Sequence, residues 1–185
     1  MATARKELTL EQFLELPEKK PALEFEEGRI EQKMSPKGEH SALQSGLAEL
    51  FNVFMRPQRL GRAFTELRTT FGGRSYVPDV SVYLRDRIPV TERGVVGSDF
   101  FDPPDIAIEI LSHGQSLNAQ ATRCEWYLAN GVKIALLAND RDESIRWFGL
   151  GQGPQVLHRG ERIDLSTVLP DFDLTVDAVF DCLKI

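Results

Sequence analysis

Two short apolar segments of this chain each contain one acidic residue that could do chemistry. Residues 75–83 read SYVPDVSVY and contain Asp79, and residues 104–112 read PDIAIEILS and contain Glu109. Apolar, β-branched neighbours are typical of a buried strand. A charged carboxylate in such a strand is unfavourable unless it is paired or bound to a metal ion. Asp79 and Glu109 are therefore the first candidates for catalytic residues.

The spacing that neighbouring strands would impose suits a divalent cation. If the two strands are adjacent, the acids can meet at about 4.5–5.5 Å, the usual cross-strand distance. Mg²⁺, or alternatively Mn²⁺, is held by one or two carboxylates together with water, and such an ion polarises a phosphoryl oxygen. Two other interpretations stay open: turn hydrogen bonds after Pro78 could fix Asp79, and an arginine could pair with Glu109.

Two further acids lie in similar surroundings. Asp105 shares a strand face with Glu109, but four residues of strand separate them by about 13 Å, which is too far to share one ion. We expect Asp105 to cap the start of its strand. Glu24 alternates with apolar neighbours, so it either faces the same cleft or is an exposed acid of a hairpin.

Composition limits the class of protein. The chain has 185 residues, of which 42% are hydrophobic and 27% charged, which predicts a single domain over residues 1–185. A net charge of −6 argues against a general nucleic-acid coating protein but leaves room for a nuclease with a local basic rim. No apolar run reaches the roughly 18 residues of a membrane span, and residues 1–7 lack an apolar signal core. We therefore expect no membrane partner and a cytoplasmic location.

The hydrophobic pattern predicts an α/β (α+β) fold in which helices flank a mixed sheet. Thr9 and Gln12 form a capping-box pattern before a short helix, and Pro57 should end a longer helix over 39–55. The predicted elements are a hairpin over 22–25 and 29–34, strands over 63–69, 77–84, 105–111, 132–138 and 144–150, and a helix over 116–130.

Several motifs, taken in order, resemble a known family. They are LEFEEGRI at 23–30, MSP at 34–36 with His40, PDV at 78–80, PDIAIEILS at 104–112, and Tyr127 followed by GV at 131–132. In order and spacing they resemble the Uma-type family of bacterial proteins described as restriction endonucleases, a branch of the PD-(D/E)XK nuclease superfamily. The resemblance extends over about residues 9–150 and implies a restriction-endonuclease-like core.

The resemblance also implies roles for individual residues. Asp79 and Glu109 match the two metal-binding acids, and the Ile110 carbonyl is a possible third ligand. Glu24 matches an N-terminal glutamate that completes the acidic site. His40 matches a histidine at the start of the long helix.

The chain departs from the family pattern at the position of a lysine. The superfamily has that lysine two residues after the second acid, where this chain has Leu111, and the Uma-type family usually has it four residues before the tyrosine, where this chain has Arg123. Arginine cannot act as a base because it keeps its proton. It can still stabilise charge on a phosphate.

Together these features predict a Mg²⁺-dependent endonuclease of duplex DNA in which Asp79, Glu109 and Glu24 bind the metal and Arg123 stabilises the phosphate. The alternatives are a catalytically degenerate nuclease fold that acts as a binding or assembly module, and a hydrolase of a small phosphate ester. We also expect a homodimer, because cleavage of both strands usually needs two active sites. Apolar residues at 95–96 and 100–101 could form its interface, unless the phenylalanines at 100–101 fold back onto their own core.

Overall fold

The computed structural model describes residues 8–185, so residues 1–7, where we expect no signal core, lie outside the described part. The helices are α1 (Leu10–Leu14), α2 (Gly38–Gln58), α3 (Leu117–Ala129) and α4 (Val176–Asp181). The strands are β1 (Leu23–Glu26), β2 (Arg29–Gln32), β3 (Gly61–Thr65), β4 (Thr69–Phe71), β5 (Arg74–Tyr76), β6 (Val80–Leu84), β7 (Ile106–Ile110), β8 (Ile134–Asn139), β9 (Ser144–Gly149), β10 (Gln155–Leu157), β11 (Arg162–Ile163) and β12 (Leu174–Thr175).

A mixed six-stranded sheet forms the centre of the fold. Its strand order is β10-β9-β8-β7-β6-β3. Strands β7 and β8 are parallel and the other neighbours are antiparallel. Helix α3 connects the parallel pair, as a parallel connection requires. The predicted fold class, a mixed sheet with flanking helices, is confirmed.

The alternation of side chains along β7 decides which helix each residue meets. Ile106, Ile108 and Ile110 belong to the apolar cluster that contains α2 and α4, whereas Ala107 belongs to the cluster that contains α3. Because side chains alternate between the two faces of a strand, Glu109 shares the α3 face with Ala107. One acid is thereby placed among the apolar residues under α3.

The predicted N-terminal hairpin is β1–β2, and it belongs to a second sheet. Glu27 and Gly28 turn the chain with φ values of 49° and 79°, a geometry typical of tight hairpins. Strand β1 also pairs with β5 through Phe25 and Ser75, which gives the order β2-β1-β5-β4. Because β5 leads into β6, this pairing places the hairpin close to the start of β6.

Several predicted element boundaries differ from the structure, and two of the differences have a clear physical cause. The strand expected over 63–69 is divided between the two sheets, because Glu66 adopts a left-handed φ of 48° after β3 and the chain then enters β4. Helix α2 continues past Pro57 to Gln58. Pro57 lies in the last turn, where its missing N–H removes only one helical hydrogen bond, and the N–H groups of Arg59 and Leu60 close the end of the helix.

The apolar residues of the long connection between β6 and β7 are only partly exposed. Phe100 is buried, with its ring centroid 4.9 Å from that of Tyr83 and 5.3 Å from that of Phe64. Phe101 remains 61% exposed. Of the expected surface residues, Phe100 is therefore part of the core, whereas Phe101, Val95 and Val96 are exposed. No helix within residues 8–185 is long and apolar enough to span a membrane.

Candidate active site

The two acids that the sequence singles out face each other across adjacent strands. Strands β6 and β7 pair antiparallel with Val80 opposite Ile108 and Ser81 opposite Ala107, and the same register puts Asp79 opposite Glu109, one step beyond the last of these pairs. Both acids are buried, and both line one cleft of about 230 Å³. The neighbouring strands that the sequence predicts are therefore present.

Asp79 is held by donors from three different segments. Lys33 Nζ lies 2.7 Å from Oδ1, while His40 Nε2 at 3.1 Å and the Ile110 N–H at 2.8 Å contact Oδ2. Burial by itself raises the pKa of Asp79, but the positive charge of Lys33 and the contact with His40 outweigh it and lower the pKa to about 2. The carboxylate is therefore ionised.

Glu109 lies in surroundings of the opposite kind. Tyr127 donates its hydroxyl to Oε1 at 2.6 Å, and Arg123 Nη1 lies 3.7 Å from the same oxygen. Burial and the negative charge of Asp79 raise the pKa of Glu109 to about 7, although Arg123 opposes the shift. Within residues 8–185 no donor forms a hydrogen bond to Oε2 of Glu109, so this oxygen is left for a ligand. Neighbouring carboxyls with diverging pKa values are typical of a functional site.

Glu24 reaches the cleft from β1, but Arg123 occupies both of its oxygens. Arg123 donates to Oε1 at 3.1 Å and to Oε2 at 2.8 Å, and the Val77 N–H donates to Oε1 at 2.9 Å. The guanidinium also lies 4.3 Å from the centroid of the Tyr76 ring. Arg123 therefore projects toward the site on the same face of α3 as Tyr127, as helical spacing predicts.

The three acids predicted to bind metal are thus not equally available. Within the described residues no group of three His, Cys, Asp or Glu side chains is arranged to hold a metal ion. Asp79 and Glu109 face each other, while Glu24 is bonded to Arg123. The arrangement favours a site built on two carboxylates.

Lys33 is the charged residue of this site that sequence reasoning missed. It follows β2, its side chain is 16% exposed, and its Nζ lies 2.6 Å from the Val77 carbonyl as well as 2.7 Å from Asp79. The register of the β1–β2 hairpin could have indicated that Lys33 faces the site. Glu24 pairs with Glu31, and residues two apart on a strand share a face, so Lys33 lies on the same face as Glu24.

Asp105 lies outside the site, as its distance from Glu109 predicts. It accepts the Leu84 N–H at 2.8 Å, and it pairs with Arg87 at 2.8 Å and Lys133 at 2.9 Å. These partners join the end of β6, the short 3-10 helix Arg85–Arg87 and the start of β8. Asp105 therefore fixes strand ends and does not line the cleft.

Comparisons with known proteins agree with this geometry. Residues 10–177 match the model of the family "Uma2: Putative restriction endonuclease". A crystal structure from Anabaena variabilis, described as a putative nuclease belonging to DUF820, is 36% identical, with 95% of this chain and 99% of that chain covered and a TM-score of 0.90. No curated protein gave a significant match. The match over most of the chain confirms the expected family and the nuclease fold: the chain belongs to the Uma2 family.

Proposed function

We propose that this protein is a Mg²⁺-dependent endonuclease that hydrolyses phosphodiester bonds in duplex DNA. The observation that carries the proposal is the pair Asp79 and Glu109, which face each other in one cleft, with Glu109 Oε2 free of hydrogen bonds within residues 8–185. Membership of the Uma2 family supports a nuclease acting on DNA. The relative from Anabaena variabilis is itself described as a nuclease.

The donor set fits a hard divalent cation. Carboxylate oxygens are the ligands that Mg²⁺ and Mn²⁺ prefer, and Asp79 and Glu109 would hold the ion. Glu24 would join them only if Arg123 released one of its oxygens. The Ile110 carbonyl stays a candidate ligand from the sequence. When bound, the ion would supply Lewis-acid activation of the phosphate and a lowered pKa for bound water.

The surrounding residues orient the two acids. His40 and the Ile110 N–H fix one oxygen of Asp79, and the Tyr127 hydroxyl fixes one oxygen of Glu109. Such supporting bonds are typical of metal sites, where they set the direction of each ligand. Arg123 holds Glu24 in place and adds positive charge to the cleft, which favours the entry of a phosphate.

Nicking of supercoiled plasmid DNA tests the proposal directly. We expect the wild-type protein to nick the plasmid with Mg²⁺ or Mn²⁺ and to stop when EDTA is added. Asp79→Asn and Glu109→Gln should each abolish nicking, and calorimetric titration should show weaker Mg²⁺ binding. Glu125→Gln, which changes an exposed acid of α3, is the matched control and should nick normally. Hydrolysis of a small phosphate ester without nicking would contradict DNA as the substrate.

One observation favours the second candidate, a degenerate nuclease fold that binds or assembles without cleavage. Leu111, at the position of the superfamily lysine, is 3% exposed and apolar, so it supplies no charge to a phosphate. Mg²⁺ binding to the wild-type protein without nicking of any plasmid substrate would support this candidate against the first.

The proposal includes a homodimer. Two-fold pairing of active sites is the simplest way to cut both strands of a duplex. Exposed apolar side chains in the connection between β6 and β7, with Phe101 the most exposed of its phenylalanines, support an interface there.

A further inference from the structure

We propose that Lys33 is the mobile cation of this site: it neutralises Asp79 in the free protein and contacts the substrate phosphate during cleavage. In the same proposal Arg123 is a positioning residue that fixes Glu24. The inference rests on the proposed nuclease function and assigns to Lys33 the phosphate contact that the sequence suggested for Arg123.

Lys33 and Arg123, two partly buried cations of the cleft, differ in how firmly they are held. Arg123 makes two parallel bonds to Glu24 and stacks on Tyr76. A bidentate arginine bond is geometrically specific, and moving it would leave Glu24 as a buried acid without its charged partner. Arg123 is therefore suited to hold a carboxylate in place and poorly suited to follow a substrate.

Lys33 is bound in a way that allows exchange. An ammonium group has three N–H donors on a flexible stem, and within residues 8–185 two acceptors contact that of Lys33, the Val77 carbonyl and Asp79 Oδ1. The third donor is available to a ligand, because Lys33 lines the same cleft as Asp79 and Glu109. Lys33 can therefore bind a phosphate oxygen and keep its contact with the Val77 carbonyl.

The contacts of the two Asp79 oxygens explain why Lys33 would move. Oδ2 already accepts bonds from His40 and the Ile110 N–H, so Oδ1 is the oxygen left for a divalent cation. Lys33 occupies that same oxygen. If Oδ1 held a divalent cation, Lys33 would have to give up this contact, and its ammonium group would then be free to bind the negatively charged phosphate. Lys33 forms no covalent bond in this role and acts by stabilising charge in the transition state.

The experiment compares Lys33→Met with Lys33→Arg and with Lys19→Met, a change at an exposed lysine. We expect Lys33→Met to bind Mg²⁺ several-fold more tightly in calorimetric titration, because no ammonium group competes for Asp79. Plasmid nicking at saturating Mg²⁺ should fall about 10²-fold, the usual effect of removing one transition-state donor. Lys33→Arg should recover part of the nicking, and Lys19→Met should match the wild type in both measurements.

Thermal unfolding separates this role from a structural one. Lys33→Met should unfold at a lower temperature than the wild type in EDTA, because Asp79 loses its counter-ion, and the difference should vanish at saturating Mg²⁺. Weaker Mg²⁺ binding by Lys33→Met, or a variant that stays unfolded in Mg²⁺, would show a structural lysine and overturn the inference. If Lys33→Met nicks the plasmid as fast as the wild type does, the inference is overturned while the proposed function stands. A wild-type protein that neither binds Mg²⁺ nor nicks DNA overturns the proposed function, and the inference with it.

Discussion

Arg123 and Glu24 form the ion pair on which the proposed division of roles depends. Both side chains are largely buried, with 16% and 6% of their surfaces exposed. Removing one partner of such a pair leaves an uncompensated charge and typically lowers stability by about 3–5 kcal/mol. Replacing both partners by apolar residues is often close to neutral.

We therefore expect Arg123→Met to lower the free energy of unfolding by about 3 kcal/mol, as measured by urea denaturation monitored by circular dichroism. The double variant Glu24→Met with Arg123→Met should recover most of that loss, and the coupling between the two changes gives the energy of the pair. A loss below about 1 kcal/mol for Arg123→Met, the range of surface pairs, would contradict a fixed, buried arginine.

Individual site residues were predictable when their own strand revealed their burial. Asp79 and Glu109 lie among apolar residues in the sequence, which indicated buried strands. Their contact in the structure then required only that the two strands be adjacent, as they are. Lys33 directly follows a strand whose residues are all exposed, and its partner Asp79 is 46 residues away in the chain, at the start of a strand of the other sheet. The hairpin register puts Lys33 on the same face as Glu24, but only the tertiary arrangement of the two sheets shows that it contacts Asp79.

At the scale of elements, Asp105 links three strand and helix ends. Burial alone raises its pKa, but the Leu84 N–H, Lys133 and Arg87 together lower the pKa below its ordinary value. A lowered folded-state pKa means that ionised Asp105 stabilises the fold above its unfolded pKa of about 3.9. That stabilisation disappears as the pH falls through the lower folded-state pKa.

We expect the free energy of unfolding of Asp105→Asn to be about 2 kcal/mol lower than that of the wild type at pH 7. The loss should not be larger, because the two cationic partners of Asp105 are partly exposed and solvent screens the pairs. The difference should shrink as the pH falls below about 4. Urea denaturation of both proteins from pH 7 to pH 3 measures it, and the shared effect of all other acids cancels in the comparison. Asp86→Asn, an exposed acid beside Arg87, should show no such trend. A difference that stays constant with pH would mean that the charge of Asp105 is not what stabilises the fold.

Element types followed from the sequence better than element boundaries did. The apolar periodicity gave α2, α3 and β6 to β9, because each buries one or both faces. The exit from β3 could not be foreseen, since a glutamate there adopts the left-handed conformation that usually requires glycine. The second sheet was not predicted either, because the sequence pattern of β3 continues without a break into β4.

The molecule as a whole presents Phe101 on its surface, within the connection between β6 and β7. A large aromatic side chain with 61% of its surface exposed is typical of an interface when other apolar residues lie near it in the chain. The predicted homodimer can therefore be tested at this residue.

We expect sedimentation equilibrium at micromolar concentration to give a dimer for the wild type and a monomer of 20.9 kDa for Phe101→Glu. The introduced charge would have to be buried without a partner in the interface. Leu150→Glu changes an equally exposed residue elsewhere and should leave the dimer intact. A wild-type protein that sediments as a single 20.9 kDa species would exclude a stable dimer.

The bond between Arg123 and Glu24 joins residues 99 positions apart in the chain. During synthesis, Glu24, Lys33 and Asp79 all leave the ribosome before the helix that carries Arg123 and Tyr127. Until that helix packs, Glu24 and Glu109 lack the Arg123 and Tyr127 partners that they have in the folded chain. If the proposed endonuclease function holds, chain order alone would keep unfinished copies of the protein from cutting DNA.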